Sequence, residues 1–340
     1  MTERIEPRDN DYLIGHEDAE KTFLDAWVSG RLAHAWMICG PKGIGKASLA
    51  YTIARFVLSG AGDGGGGLFG GGPDTLRISK DHSAFKMIAS GGHPDLKVVE
   101  RGWADASQTK LRSEIVIGDV REAGHFLSMT PALGGWRVVI IDAADDMNRN
   151  SANAILKVLE EPPRNALILL VVNSPGRLLP TIRSRCRRLV LKPLAEGMVS
   201  ELIARYAPDL GPDDARRLAL LAQGSIGEAL DLADAGGLEF YDEIVRMLDG
   251  LPRTPTATFH AFAEKSGADA GWDVIPRLME RWLADRILQR AELKDVGLES
   301  WLGVWDKVRT LFTRADAVNL DRKQTVLTAL TMVERVAKGV

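Results

Sequence analysis

Short apolar runs punctuate the first part of the chain: HAWMIC at 34–39, DLKVVE at 95–100, WRVVIID at 136–142, ALILLVV at 166–172 and RRLVL at 187–191. Stretches of helical periodicity separate them. Strands that alternate with helices predict an α/β unit built on a parallel sheet with helices on both faces, because each crossover must return over one face of the sheet. After Pro193 the strand signals stop. AEGMVSELIARYA, PDDARRLALLAQ and SIGEALDLADA follow, parted by Gly, Pro or Asp, and predict a small helical domain over 194–236. From 237 to 340 the periodic stretches lengthen, as in GWDVIPRLMERWLADRILQRAEL and NLDRKQTVLTALTMVERVAKG, with apolar residues at i, i+3, i+4 and i+7. They predict a separate helical bundle. Within the first domain, 1–193, the stretch GAGDGGGGLFGGGPD at 60–74 is too rich in glycine to bury enough surface to offset its ordering entropy, and is expected to be a mobile insertion.

Composition narrows the class. A chain of 340 residues with 45% hydrophobic content can fill more than one core. Its formal charge of -3 argues against a surface built throughout to wrap DNA, although local basic patches remain open. Cys39 and Cys186 are too few for a disulfide framework or a cysteine-only zinc site, and they fit a reducing compartment. With no apolar leader and no membrane-length apolar run, a cytoplasmic location is expected.

Candidate chemistry begins at GPKGIGKAS, residues 40–48. Gly, four residues, Gly-Lys and then Ser or Thr, set between a strand and a helix, turns backbone N–H groups and a helix N-terminus toward phosphate oxygens. Gly40, Gly43, Gly45 and Lys46 keep that pattern. Ala47 does not, because it offers Mg²⁺ no oxygen, and Ser48 points about 100° further round the helix. Such sites also use an Asp at the end of a neighbouring strand for the metal, followed by a Glu that orients the attacking water. Here Asp142 is in place but Ala143 stands where the Glu is needed. Asp145 and Asp146 are expected to be solvated or to cap the next helix. Hydrolysis thus lacks two groups with defined roles, whereas Lys46 and the glycine backbone leave room for weak binding of ATP or ADP.

Several other residues invite a functional reading beside a plainer one. His34 and His93 sit at strand edges and are read as packing or turn residues. Trp272, Trp282, Trp301 and Trp305 fall in apolar helical patterns and are read as core or interface anchors rather than base-stacking surfaces. Arg185, before the fifth run, reads on its own as a surface ion pair. Arg183, Arg187 and Arg188 belong to loop and sheet surface, where one could meet a DNA phosphate.

Taken together, HAWMICGPKGIGKASLA, GGHPDLKVVE, VVIIDAADDMNRNSANAILKVLEEPPRNALILLVV and LLPTIRSRCRRLVL resemble the AAA+ clamp-loader subunits of bacterial DNA polymerase III. The resemblance is strong over about 10–235 and rests on pattern beyond. It implies an AAA+ domain, a helical lid and a C-terminal collar that mediates oligomerisation. It also implies gamma/tau ATPase and delta subunits as partners, with the sliding clamp and primed DNA engaged through the complex. The triplet Ser184-Arg185-Cys186 matches the family's trans-acting arginine, which enters a neighbour's ATP site. Asn173 takes, by position, the place where the family monitors the γ-phosphate. Gly227 stands where motor subunits carry a nucleotide-sensing Arg. The four-cysteine zinc module usual after the P-loop helix is replaced by the glycine-rich stretch, so no zinc is expected. With Ala47 and Ala143, these departures suggest a subunit that does not hydrolyse ATP. An active ATPase of the gamma/tau kind is the alternative.

Overall fold

The computed structural model describes residues 5–60, 73–104, 107, 111–267, 269–293 and 297–339. Most of the glycine-rich stretch, and with it the expectations of mobility and of a lost zinc module, lies outside them. The chain divides into two compact units, one of residues 3–198 with 224–227, the other of 199–223 with 228–340.

In the first unit the elements run α1 (Glu17–Val28), β1 (Ala35–Cys39), α2 (Lys46–Leu58), α3 (Ser83–Ala89), β2 (Leu96–Val99), α4 (Ile117–Ser128), β3 (Arg137–Asp142), α5 (Arg149–Glu160), β4 (Ala166–Val172), α6 (Pro180–Arg183) and β5 (Arg187–Val190). The five strands lie in the order β2-β3-β4-β1-β5, every pair parallel. All five expected strands are present. β4, apolar at each of its positions, is buried throughout and sits at the centre, since only a strand covered on both faces can be apolar on both.

Side chains that alternate along β1 supply two cores. Trp36 and Ile38 join Phe23 of α1 and Leu49, Ile53 and Phe56 of α2 on one face. Ala35, Met37 and Cys39 join Val120 and Leu127 of α4 and Ile155 and Leu159 of α5 on the other. β5 forms an edge: Leu189 is buried while Arg187, Arg188 and Val190 are exposed, and Arg187 stacks over Trp36 at 4.9 Å. Both cysteines are buried thiols.

The second unit is helical: α7 (Glu196–Tyr206) and α9 (Ile226–Asp234), each of which begins in the first unit, with α8 (Pro212–Leu221), α10 (Gly237–Asp249), α11 (Thr256–Ser266), α12 (Asp269–Trp272), α13 (Ile275–Glu292), α14 (Leu298–Val318) and α15 (Arg322–Ala337). The long periodic stretch from 271 is broken between α12 and α13. Pro276 explains the break, since it lacks an N–H and fits a helix only in its first turn. Trp272, Trp282 and Trp301 are buried anchors, as expected. Their chemistry is satisfied locally: the indoles of Trp272 and Trp282 donate to Asp316 at 2.8 Å and Asp249 at 3.1 Å. Trp305 is half-buried under Arg309. Asp321 caps α15 by accepting from the Gln324 N–H at 2.7 Å. Among the described residues no helix is long and apolar enough to cross a membrane.

Candidate functional site

In a parallel sheet every strand ends on the same edge, so loops leaving β1, β3 and β4 converge. Gly40, Gly43, Gly45, Lys46, Asp142 and Asn173 gather there. The Gly40 N–H donates to the Val172 carbonyl at 3.2 Å, which ties the phosphate-type loop to the end of β4 beside Asn173. Gly45, at φ 105°, turns the chain from loop into α2 in a conformation that side chains resist.

The ammonium and several carbonyls of this loop are paired with the unit's own atoms. The Lys46 ammonium, 4% exposed, donates to the Pro41 carbonyl within its own loop. The Ile44 carbonyl accepts from His16 Nε2–H at 2.6 Å, and burial holds that imidazole below its ordinary pKa. The Lys42 carbonyl accepts from the Ser225 hydroxyl at 2.9 Å, and the Gly43 carbonyl from the Gly227 N–H at 2.9 Å. Backbone meets backbone so closely here that a Cβ on Gly227 would lie 2.8 Å from Gly43 Cα. Any larger residue at 227 has to push this segment off the loop. Ser48 is turned elsewhere, accepting from Asn10 Nδ2 at 3.2 Å.

Burial also unsettles the charges. Lys46 is lowered to about 8, chiefly by burial, against the raising influence of Asp142 and Asp145. Asp142 is pushed up to about 6, first by burial and then by the like charge of Glu100, with Lys46 opposing. The carboxylate at the end of β3 is therefore partly protonated near neutral pH.

Asp145 differs from expectation. It is neither solvated nor a helix cap: buried, it accepts from the Asn173 N–H at 2.9 Å and the Ser174 N–H at 3.1 Å, pinning the exit of β3 to that of β4. Asn148 caps α5 instead, through the N–H groups of Asn150 and Ser151. Asp146 lies 3.3 Å from the guanidinium of Arg101. The histidines have local partners, His34 through the Leu159 carbonyl at 3.0 Å and His93 through the Asp95 N–H at 3.2 Å.

Arg185 stands apart from this cluster. It precedes β5, whose first residue, Arg187, pairs with Trp36 rather than with Cys39 at the loop end of β1. It thus lies at the edge where the strands begin, a strand length of about 13 Å from the loop at the edge where they end. Its guanidinium is exposed, meeting Glu160 Oε1 at 2.8 Å and donating to the Thr181 carbonyl at 3.0 Å. Arg183 is half-buried in the same turn. Sequence reasoning assigned no role to His16, Ser225 or Glu160. The partners of His16 and Ser225 are backbone carbonyls, which carry no side-chain signature, and Glu160 was visible only inside the LEEPP run.

The arrangement can therefore do two things chemically. One edge carries the loop's backbone N–H groups and a buried ammonium, without a hydroxyl at 47 or a carboxylate at 143. The opposite edge presents a planar cation to whatever lies outside the chain.

Comparison with known proteins adds independent findings. A protein-family model described as "DNA polymerase III, delta subunit" matches residues 15–195. DNA polymerase III subunit delta' of Pseudomonas aeruginosa is 32% identical over 276 residues, covering 81% of this chain and 76% of that protein. The Bacillus subtilis subunit delta' is 31% identical over 215 residues, 63% of this chain and 57% of its own length. Subunit tau/gamma of Haemophilus influenzae is 31% identical over 226 residues, 65% of this chain but 30% of that longer protein.

Proposed function

The chain belongs to the DNA polymerase III delta-subunit family, and from that premise we propose that it works as a clamp-loader subunit of the delta-prime kind, which does not itself turn over ATP. It joins gamma/tau-type ATPase subunits and a delta subunit in the cytoplasm. There it helps place the sliding clamp on primed DNA and lends Arg185 to a neighbour's ATP.

The observation that carries this reading is the separation of Arg185 from the chain's own phosphate-type loop, at opposite edges of one sheet. A guanidinium placed there cannot reach a phosphate held by its own subunit, but it is exposed to a neighbour. Phosphoryl transfer spreads charge over the three equatorial oxygens of the moving group, and a planar fork of N–H donors suits that charge better than an ammonium does.

The chain's own loop supports the other half. A magnesium ion needs oxygen donors, and the residues present do not fit one. Ala47 has no hydroxyl, Ala143 cannot orient water, and Asp142 shares its site with Glu100 at a pKa of about 6. Nucleotide at this loop would have only backbone N–H groups and Lys46 to hold it, so its binding is weak and metal-independent. Retention of Lys46 beside Asp142 is the one feature that favours the rival reading, a working ATPase of the gamma/tau kind.

Phosphate release by the isolated chain, wild type and Lys46→Ala, separates the two. The expected result is no turnover that depends on Lys46, together with co-elution of the chain with motor and delta subunits on sizing. Release that Lys46→Ala abolishes contradicts the proposal.

A further inference from the structure

The guanidinium of Arg185 is held by two groups from different elements. Glu160, the last residue of α5, takes Nη2 at 2.8 Å, and the Thr181 carbonyl in the turn of α6 takes Nη1 at 3.0 Å. A planar group anchored at two of its nitrogens has its plane fixed, and the remaining donors of the fork stay available to a further anion. The side chains are 36% and 51% exposed, so the pair contributes little to folding. Its consequence is orientation. The anchor is firm: α5 is capped at its start by Asn148, its Ser151 hydroxyl donates to the Ile115 carbonyl at 2.6 Å, and Leu159, beside Glu160, is buried in the core. Glu160 therefore offers its carboxylate from a helix end that packing holds in place.

We propose that Glu160 is a positioning residue for Arg185: with the Thr181 carbonyl it holds the guanidinium, before and during ring assembly, in the orientation from which it reaches the neighbouring subunit's phosphate. This rests on reading Arg185 as acting in trans. Without Glu160 the arginine samples many rotamers, and only a fraction of them present the fork to the phosphate. The loss falls on turnover rather than on nucleotide affinity, because the neighbour's own loop binds the ATP.

The test is ATP hydrolysis by complexes reconstituted with motor and delta subunits and with this chain as wild type, Glu160→Ala, Glu160→Gln, Arg185→Ala and the Glu160→Ala/Arg185→Ala double variant. At the site served by this chain, Glu160→Ala is expected to lower kcat about tenfold with KM for ATP unchanged. Glu160→Gln keeps an acceptor oxygen and is expected to lose only about threefold. In the Arg185→Ala background, Glu160→Ala should add nothing, because its effect passes through the arginine. Wild-type or faster turnover with Glu160→Ala overturns the proposal, as does an equal loss in both backgrounds. If Arg185→Ala alone leaves turnover at the wild-type level, the trans-acting reading itself fails, a separate result.

Discussion

The two edges of the sheet differ in how their polar groups are held, and under the proposed function each edge carries one half of a phosphate-handling apparatus. At the edge where strands end, the ammonium and carbonyls of the loop of Gly40 to Lys46 have internal partners: Lys46 on Pro41, His16 on Ile44, Ser225 on Lys42, Gly227 on Gly43. At the edge where strands begin, Arg185 is exposed and held by Glu160 and Thr181. A buried polar group is stable only when paired, and here the loop's buried ammonium and carbonyls find their partners inside the fold. An exposed cation has no such pressure on it. The difference teaches that, under the proposed function, the state of the chain's own loop and the service of Arg185 to a neighbour are structurally independent. Each edge can therefore be perturbed without the other.

The largest effect should come from the exposed edge. Arg185→Ala should leave the chain folded and able to assemble, while ATP hydrolysis at the receiving site falls by up to roughly 10³-fold. Arg185→Lys should recover little of it, since a point charge cannot grip two oxygens in one plane. Turnover of reconstituted complexes measures both, and equal activity of the Lys and wild-type versions would break the contrast.

At the sealed edge, Gly227→Ala forces a Cβ to within 2.8 Å of Gly43 Cα. Urea unfolding should show a loss of about 1–2 kcal/mol, overpacking outweighing the helix propensity gained. Undiminished stability would mean that the segment is only loosely seated.

Asp142 gives a pH signature of comparable or smaller size. Its carboxyl is raised to about 6 in the folded chain, so the folded state binds a proton that the unfolded state has released. Stability from this group is present in acid and is lost as pH rises through 6. Between about pH 5 and about pH 7.5, wild type should lose about 1 kcal/mol relative to Asp142→Asn, read from unfolding curves at both values. A constant difference contradicts the buried-charge account.

Ala47→Ser should have the smallest effect. It restores a hydroxyl at the start of α2, yet Ala143 still lacks a base and Gly227 a guanidinium. Phosphate release by the isolated chain should stay at background, and Mg²⁺-dependent turnover gained by this single change would show the loop to be far closer to activity than its packing suggests.

Much of the first unit was legible in the chain. Each of the five apolar runs became a strand; β1, β3 and β4, buried on both faces, leave the unbroken apolar pattern, while β2 and the edge strand β5 are only partly covered. The glycine loop and the missing groups at 47 and 143 were equally readable, since they concern residue types at fixed spacing. What escaped was long-range pairing. Ser225 reaches Lys42 across 183 positions, and Asp145 serves the backbone of Asn173 and Ser174 across 28 and 29. A carboxylate that accepts from backbone N–H groups looks, in sequence, like any acid near a helix start. The break before α13 also escaped, because the stretch from 271 to 293 reads as one periodic run although Pro276 carries the signal for it.

One paired experiment tests the central claim most directly: ATP hydrolysis by the reconstituted complex carrying either Lys46→Ala or Arg185→Ala in this chain. The account predicts wild-type turnover with Lys46→Ala and a large loss with Arg185→Ala, both variants assembling normally. The reverse outcome, loss with Lys46→Ala and none with Arg185→Ala, would show that the chain works through its own loop and would contradict the account.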